Sequence, residues 1–369
     1  LADKAVVPLV LAVAVGGGLA AGRTALPWRV VDRGLAAAVC LLTAWWLLTS
    51  AWSFHPAQAA ALALRVGVLL LALLYVAALA GRLDEPQRRR VRLAFVIGFA
   101  AAVLLLAIEL AFRGPIFTLL QGPATSDYTI YSRLNRGVSA VAILVWPLVV
   151  LLWQGGLRPL AWALPPAVFG LTLASQSSAS ALALGAGLLA ALLSGLGRPL
   201  ARGVMAVALI VTLLGSPFAA GLARQAGLAQ ADWLAETAQY RLHIWTVVSE
   251  RIAERPLLGW GFDASPDLPA GAAQPFRPGD KIIPSHPHNG ALQIMVETGL
   301  AGSLLVLGLL FLLARRIDAL PAAERAAGVA MMVTVLGVAA TAYGIWQSHW
   351  LSVIGAAAAL FIVVQPARP

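Results

Sequence analysis

The run Ser285-His286-Pro287-His288-Asn289-Gly290 sets two imidazoles immediately before an apolar stretch that begins at Ala291. Three chemistries are open to such a pair. Two histidines can begin a metal site, although a stable one asks for three or four ligands and no thiolate or carboxylate triad accompanies them. They can lie at a membrane interface as amphipathic rings with wet tips. Or a neutral imidazole can take the proton from a hydroxyl group as its oxygen attacks an electrophile. Upstream, Tyr240-Arg241-Leu242-His243-Ile244-Trp245 supplies a guanidinium, whose ordinary role on an amphipathic segment is contact with solvent or lipid headgroups.

The elements that must position these groups belong to a chain whose solvent is mostly lipid. Its 369 residues are 60% hydrophobic and 11% charged, with a mean hydropathy of +0.84, too few charges to cover a water-soluble surface. Spanning helices need about 20 residues each, so the chain is accounted for by one bundle with little left for a separate soluble unit. The expected fold is all-α, a polytopic membrane helix bundle forming a single domain over residues 1–369. Cys40 is the lone cysteine, which excludes a disulfide framework and a thiolate metal site. The net charge of +10 comes from arginines in short clusters between apolar runs, a pattern of membrane orientation rather than of nucleic-acid binding.

Apolar runs predict eleven spans, near 5–21, 34–52, 59–80, 91–112, 137–153, 159–174, 179–194, 203–220, 290–314, 325–342 and 344–364. Arginines follow every odd-numbered span: Arg23, Arg29 and Arg33; Arg82, Arg88, Arg89, Arg90 and Arg92; Arg158; Arg198 and Arg202; Arg315, Arg316 and Arg325; Arg368. Short cytoplasmic loops collect such charge, so odd spans are expected to end in the cytoplasm. Leu1 then lies outside, and a twelfth helix is expected before it. Two long loops fall on the outer side, residues 113–136 and 221–289. Apolar positions at helical spacing (Trp233, Leu234, Tyr240, Ile244, Trp245, Val248, Ile252) predict an amphipathic helix near 230–255 lying at the membrane interface. No Walker-type phosphate loop is present, so an energy-independent reaction on the outer face is the natural class.

The order of Arg241, Trp245, Pro256-Leu257-Leu258-Gly259-Trp260-Gly261, His288-Asn289 and Glu297-Thr298-Gly299-Leu300-Ala301-Gly302 resembles the C-terminal signature of the O-antigen ligase and polymerase superfamily. Ser132-Arg133-Leu134-Asn135-Arg136-Gly137 and Ser175-Gln176-Ser177-Ser178-Ala179-Ser180 support it. The resemblance implies a GT-C-like membrane glycosyltransferase that takes a glycan from an undecaprenyl pyrophosphate carrier on the periplasmic face of the bacterial inner membrane. Lipid A-core is the implied acceptor, and no cofactor is implied. It makes His288 the base for the attacking sugar hydroxyl, and Arg241 with Arg136 the groups that bind the departing pyrophosphate bidentately. It places Arg133, Gln176, Tyr240, His286, Asn289 and Glu297 in the substrate site, with Asn289 or Glu297 orienting the imidazole. No paired carboxylates stand among the outer aspartates (Asp127, Asp232, Asp263, Asp267, Asp280), so the expected transfer is metal-independent and inverting. Ligases often carry arginine where Ser178 stands here, which keeps the polymerase alternative open.

Rival readings are a protein O-glycosylating relative, for which the outer loops are small, and a transporter. A transporter gathers polar groups at mid-membrane, whereas these gather at the outer ends. Trp28, Trp52, Trp153, Trp346 and Trp350 fall near span ends and are expected to anchor the interface. Glu109 and His349 are expected to face the bundle, and the Gly/Ala runs of spans one, seven and eleven to pack closely.

Overall fold

The computed structural model describes residues 2–22, 26–122, 127–271, 273–276, 279, 281–283 and 285–366, and their side chains except at 2–6, 21, 28, 121 and 127–133. These residues form fifteen α-helices and no strand: α1 (Ala2–Ala21), α2 (Pro27–Val30), α3 (Arg33–Ser50), α4 (Pro56–Gly81), α5 (Glu85–Ala111), α6 (Pro115–Gln121), α7 (Asp127–Gln154), α8 (Arg158–Ala174), α9 (Ser178–Gly195), α10 (Arg198–Leu213), α11 (Ser216–Gln225), α12 (Glu236–Glu254), α13 (Gly290–Asp318), α14 (Ala322–Thr341) and α15 (Ser348–Val364). Every expected span is helical over most of its length, the last only from Ser348. Seven of the described helices are long and apolar enough to cross a membrane, and the apolar part of α1 and all of α15 are shorter apolar helices.

One expected span is not a single rod. α10 and α11 count as one crossing only together and bend by 62° where residues 203–220 were expected to run straight. Pro217 stands in the first turn of α11, where its missing N–H costs no hydrogen bond but stops the preceding helix.

Side-chain caps start α3 and α5. The Asp32 carboxylate accepts from Leu35 N at 2.9 Å and begins α3, and Asp84 with Gln87 makes a reciprocal capping box on α5. Close approach then sets the packing. A Cβ on Gly337 of α14 would meet Ala183 Cα of α9 at 2.9 Å, and one on Gly355 of α15 would meet Leu73 of α4 at 2.3 Å. The small residues of spans seven and eleven are thus helix contacts. Large apolar side chains such as Leu41, Val68, Ile97, Leu189 and Ile210 stay exposed on the outside of the bundle, as lipid requires.

The arginine-bearing ends meet at one end of the bundle. Arg198 and Arg202 at the start of α10 both bind Asp318 at the end of α13, Arg316 pairs with Asp32 before α3, and Arg88 donates to the carbonyls of Ile362, Val363 and Gln365 at the end of α15. α12, the long loop and the start of α13 occupy the opposite end.

α12 differs from the expected interfacial helix. Its apolar stripe (Ile244, Val248, Ile252) is buried against Leu292 and Val296 of α13 and Ile283 of the loop, so protein rather than lipid covers it. Trp233 lies before the helix and is exposed. Two expected anchors are also corrected. Trp346 and Trp350 are buried in the bundle, at 7% and 2% exposure, Trp346 in the α14–α15 connection against Trp46 and Phe262 and Trp350 in the first turn of α15 against Tyr343. Trp153 does lie at an end, against Trp162 and under Arg158. The side chain of Trp28 lies outside the described residues. Glu109 is buried and accepts from Ile116 N and Phe117 N, which starts α6.

Candidate active site

α13 begins at Gly290 because the Asn289 carboxamide oxygen accepts from Ala291 N and Leu292 N, both at 3.0 Å. That cap fixes where the chain enters the helix, and the preceding residue, His288, is held in the left-handed region at φ 56. A non-glycine residue there carries backbone strain on the order of 1–3 kcal/mol, sustained only by its surroundings. Two contacts sustain it. The His288 N–H donates to His286 Nδ1 at 3.1 Å, and His288 Nδ1 lies 2.9 Å from the carbonyl oxygen of Ala342.

These two bonds settle the tautomers. A carbonyl oxygen only accepts, so Nδ1 of a neutral His288 carries its proton and Nε2 bears the lone pair. His286 Nδ1 is itself an acceptor, so its proton sits on Nε2. The rings lie 4.3 Å apart. Burial pushes the His286 imidazole down to about 3, helped by the neighbouring His288 and by the charge of Arg241. Burial likewise lowers His288, against the raising effect of its bond to Ala342, and Arg241 lowers it further. Both rings are neutral at pH 7, the form in which an imidazole removes a proton.

Arg241 reaches this pair from α12. Trp245, one turn on and on the same face, donates its indole N–H to the Pro287 carbonyl at 2.9 Å, which ties α12 to the histidine segment. Tyr240 packs on Phe276 at 5.4 Å, and the His243 ring on the same phenyl group at 5.9 Å.

Two residues expected near substrate make contacts within the protein. Asn289 is the helix cap just described. Glu297, expected as a partner for His288, is fully buried two and a half turns below it and does not touch it. Its carboxylate accepts from Asp263 N (3.0 Å), Ser265 Oγ (2.5 Å), Gln293 Nε2 (3.0 Å) and Trp346 Nε1 (2.6 Å). The orienting group for His288 is instead a backbone carbonyl.

The glycines of the motif region serve the same clasp. Trp260 N and Gly261 N donate to the Val296 and Glu297 carbonyls, freed where α13 breaks at Gly299 (φ 68). A Cβ on Gly299 would lie 2.1 Å from Leu257 O, and one on Gly259 would lie 2.6 Å from Glu297 O. The Pro256–Gly261 turn is therefore scaffold that presses against the helix. Asp263 follows it at φ 61, and its carboxyl is pushed up by burial and by Asp267, against the pull of Arg65.

The connection between α14 and α15 completes the site. Ala342 O holds His288, Gly344 lies against the His286 ring, Ile345 N donates to Gln293 Oε1 at 2.9 Å, and Trp346 holds Glu297. A Cβ on Gly344 would meet the His286 ring at 2.9 Å.

A family model described as O-Antigen ligase matches residues 167–307. The chain is similar to the O-antigen ligase superfamily, on its ligase branch. The ligase match runs from the second half of α8 through α12 and the loop to Leu307 of α13, so it contains Gln176, Arg241, His288 and Glu297 but neither Arg136 nor Ala342. A protein of Rickettsia conorii provisionally named a polysaccharide ligase is 28% identical over 85% of this chain and 75% of its own length. Counterparts with the same provisional name in Rickettsia prowazekii (27%, over 84% and 76%) and Rickettsia bellii (27%, over 72% and 65%) are similar in the same way. No solved structure matches the chain.

Arg136 is exposed on α7, one turn before Ser139, which touches Tyr343 Oη at 3.1 Å. Gln176 is exposed in the α8–α9 turn at φ 55. The side chain of Arg133 lies outside the described residues. Among the described residues, no three His, Cys, Asp or Glu side chains gather where a metal could be held.

Proposed function

We propose that the protein is an O-antigen ligase-like glycosyltransferase, moving a polysaccharide from undecaprenyl pyrophosphate to a sugar hydroxyl of lipid A-core. His288 Nε2 takes the hydroxyl proton, and the oxygen attacks the anomeric carbon. The bond from that carbon to the pyrophosphate oxygen breaks with its electron pair on the leaving group. Arg241, with Arg136 as its partner in role, binds the dianionic pyrophosphate as charge grows on the departing oxygen, while attack from the opposite face inverts the centre. The observation that carries this reading is the His288 Nδ1–Ala342 O bond, since it leaves Nε2 as a free base in a neutral ring beside a guanidinium.

The gathering of the arginine ends at one end of the bundle supports an inner-membrane orientation with the site facing the periplasm. The test combines purified protein in lipid with carrier-linked glycan and lipid A-core. Label moving onto lipid A-core is expected. Elongation of the carrier-linked glycan alone overturns the acceptor assignment in favour of a polymerase, and glycan crossing the bilayer unchanged overturns the enzyme. His288→Ala and Arg241→Ala are expected to fold normally and lose transfer by 100-fold or more, a size on the order of a general-base or charge-stabilising contribution. Full activity in excess chelator is expected; its loss would remove the metal-independent mechanism.

A further inference from the structure

The carbonyl that selects the His288 tautomer belongs to no helix. α14 ends at Thr341 and α15 begins at Ser348, so Ala342 lies in a connection whose direction regular backbone bonding does not impose. Ala342 C=O shares one planar peptide unit with the nitrogen and Cα of Tyr343. Whatever anchors the Tyr343 side chain therefore steers that carbonyl. Tyr343 packs its ring on Trp350 at 5.2 Å and on His349 at 5.8 Å, and its hydroxyl meets Ser139 Oγ of α7 at 3.1 Å.

Counting protons gives this contact a direction. Ser139, buried at 2% exposure, lies 2.9 Å from the Asn135 carbonyl, which only accepts, so its one proton goes there. Its two lone pairs then receive Ser180 Oγ at 2.8 Å and the Tyr343 hydroxyl. Ser180, fully buried, accepts in turn from Ser177 at 3.0 Å. The chain runs from Ser177 to Ser180 to Ser139 to the Asn135 carbonyl, with Tyr343 joining at Ser139. Each hydroxyl donates once, and Ser139 is saturated. One serine thus joins α7, α9 and the α14–α15 connection at the level of the base.

We propose that Ser139 and Tyr343 are positioning residues whose hydrogen bond holds the Ala342 carbonyl against His288 Nδ1 and so keeps Nε2 as the reactive nitrogen. The catalytic consequence rests on the transfer reaction proposed above, whereas the tautomer control does not. Tyr343→Phe keeps the ring and removes only the hydroxyl. Ser139→Ala removes the acceptor and also leaves Ser180 without one, so it serves as the second, more disruptive variant.

The direct readout is the 15N signature of His288 in 15N-histidine-labelled protein in lipid bilayers. The unsubstituted protein is expected to show a single Nδ1–H tautomer and Tyr343→Phe a mixture of the two. In the transfer assay, Tyr343→Phe is expected to lower kcat about tenfold with KM unchanged. It is also expected to move the acid limb of the pH profile to lower pH, because the bond to Ala342 supports the protonated ring. The charged and titratable groups facing His288, namely His286 on the loop and Arg241 on α12, are untouched, as is His349 beyond Tyr343. The double variant is expected to be no slower than Ser139→Ala, since the contact that Tyr343→Phe removes is already lost there. An unchanged 15N signature in Tyr343→Phe, or a fall in kcat with an unmoved acid limb, overturns the proposal. A tautomer change in a protein that transfers no glycan leaves the brace standing and overturns the ligase reading instead.

Discussion

Glu297 offers the sharpest test of how the site is held. Its carboxylate is wholly buried and receives four donors, three of which cannot turn away: the Asp263 backbone N–H, the Trp346 indole and the Gln293 amide, whose own oxygen is committed to Ile345 N. Only the Ser265 hydroxyl can rotate. Glu297→Ala strands the three fixed donors at about 1–3 kcal/mol each, so a loss on the order of 5 kcal/mol is expected. Glu297→Gln keeps the shape and one oxygen. The new NH2 settles on the Ser265 side, where the serine turns to accept, but it then faces the Gln293 amide donor to donor. One lost bond and one repulsion amount to roughly 2 kcal/mol.

The assay is thermal unfolding of purified protein in detergent followed by tryptophan fluorescence. The expected order is unsubstituted protein, then Glu297→Gln, then Glu297→Ala. The exchange Glu297→Gln with Gln293→Glu restores a donor facing an acceptor and still offers an oxygen to Ile345 N, so it is expected to recover part of the loss. A Glu297→Gln protein as stable as the parent, or an exchange no better than the single change, would refute the clasp. Because the carboxylate does not touch His288, folded Glu297→Gln is expected to keep kcat within a few-fold. A dead but well-folded protein would return Glu297 to the chemistry.

Four further outcomes rest on the same geometry. The base works as a neutral ring and burial lowers its pKa, so transfer is expected to stay level as pH falls from 8 through the ordinary imidazole value near 6.5 and to decline only below it; a drop centred on pH 6.5 to 7 would contradict this. His286 is held at about 3 when folded, so the unfolded chain binds the extra proton between about 6.5 and 3; stability is expected to be level above that window and to fall as pH is lowered through it, with His286→Asn flattening the slope in acid denaturation. Asn289→Ala is expected to cost about 1 kcal/mol through its lost cap while Asn289→Asp keeps cap and turnover, and a folded but inactive Asn289→Asp would make it a substrate contact. Gly299→Ala puts a Cβ 2.1 Å from Leu257 O at a positive φ and is expected to abolish folded protein on size-exclusion chromatography, whereas Gly308→Ala, with open space around it, is expected to be neutral.

The bundle was legible because lipid leaves a strong imprint on sequence. Each run of about 20 apolar residues became helical, one of them as two helices, and the described arginine clusters that were read as one face of the membrane do collect at one end. The break between α10 and α11 was less visible. A Gly215-Ser216-Pro217 step inside a hydrophobic run lowers hydropathy little while stopping a helix. α12 was legible as an amphipathic helix, but its partner was not, since an apolar stripe looks the same whether lipid or another helix covers it. His288 and Arg241 could be named from residue type and order, and the structure brings them together. Glu297 and the glycine turn were equally visible as a pattern, yet the pattern does not separate chemistry from the clasp that supports it.

What residue type could not reveal is that the group orienting the proposed base is a backbone carbonyl. Any residue at position 342 presents the same C=O, so Ala342 carries no side-chain signal, and Trp346 resembles an interfacial anchor. One trace was nonetheless present. Spans read as 325–342 and 344–364 leave a single residue between two membrane crossings, and a chain cannot reverse through one residue. The apolar run Ala342-Tyr343-Gly344-Ile345-Trp346 therefore had to leave the helix, and being apolar it had to do so buried. Buried non-helical backbone at membrane depth persists only where protein satisfies its polar groups. Here His288 takes the Ala342 carbonyl and Gln293 takes the Ile345 N–H. The fold's need to satisfy that connection and the proposed base's need for a fixed tautomer are met by one hydrogen bond, so a change that loosens the connection is expected to disturb the proposed chemistry before it unfolds the bundle.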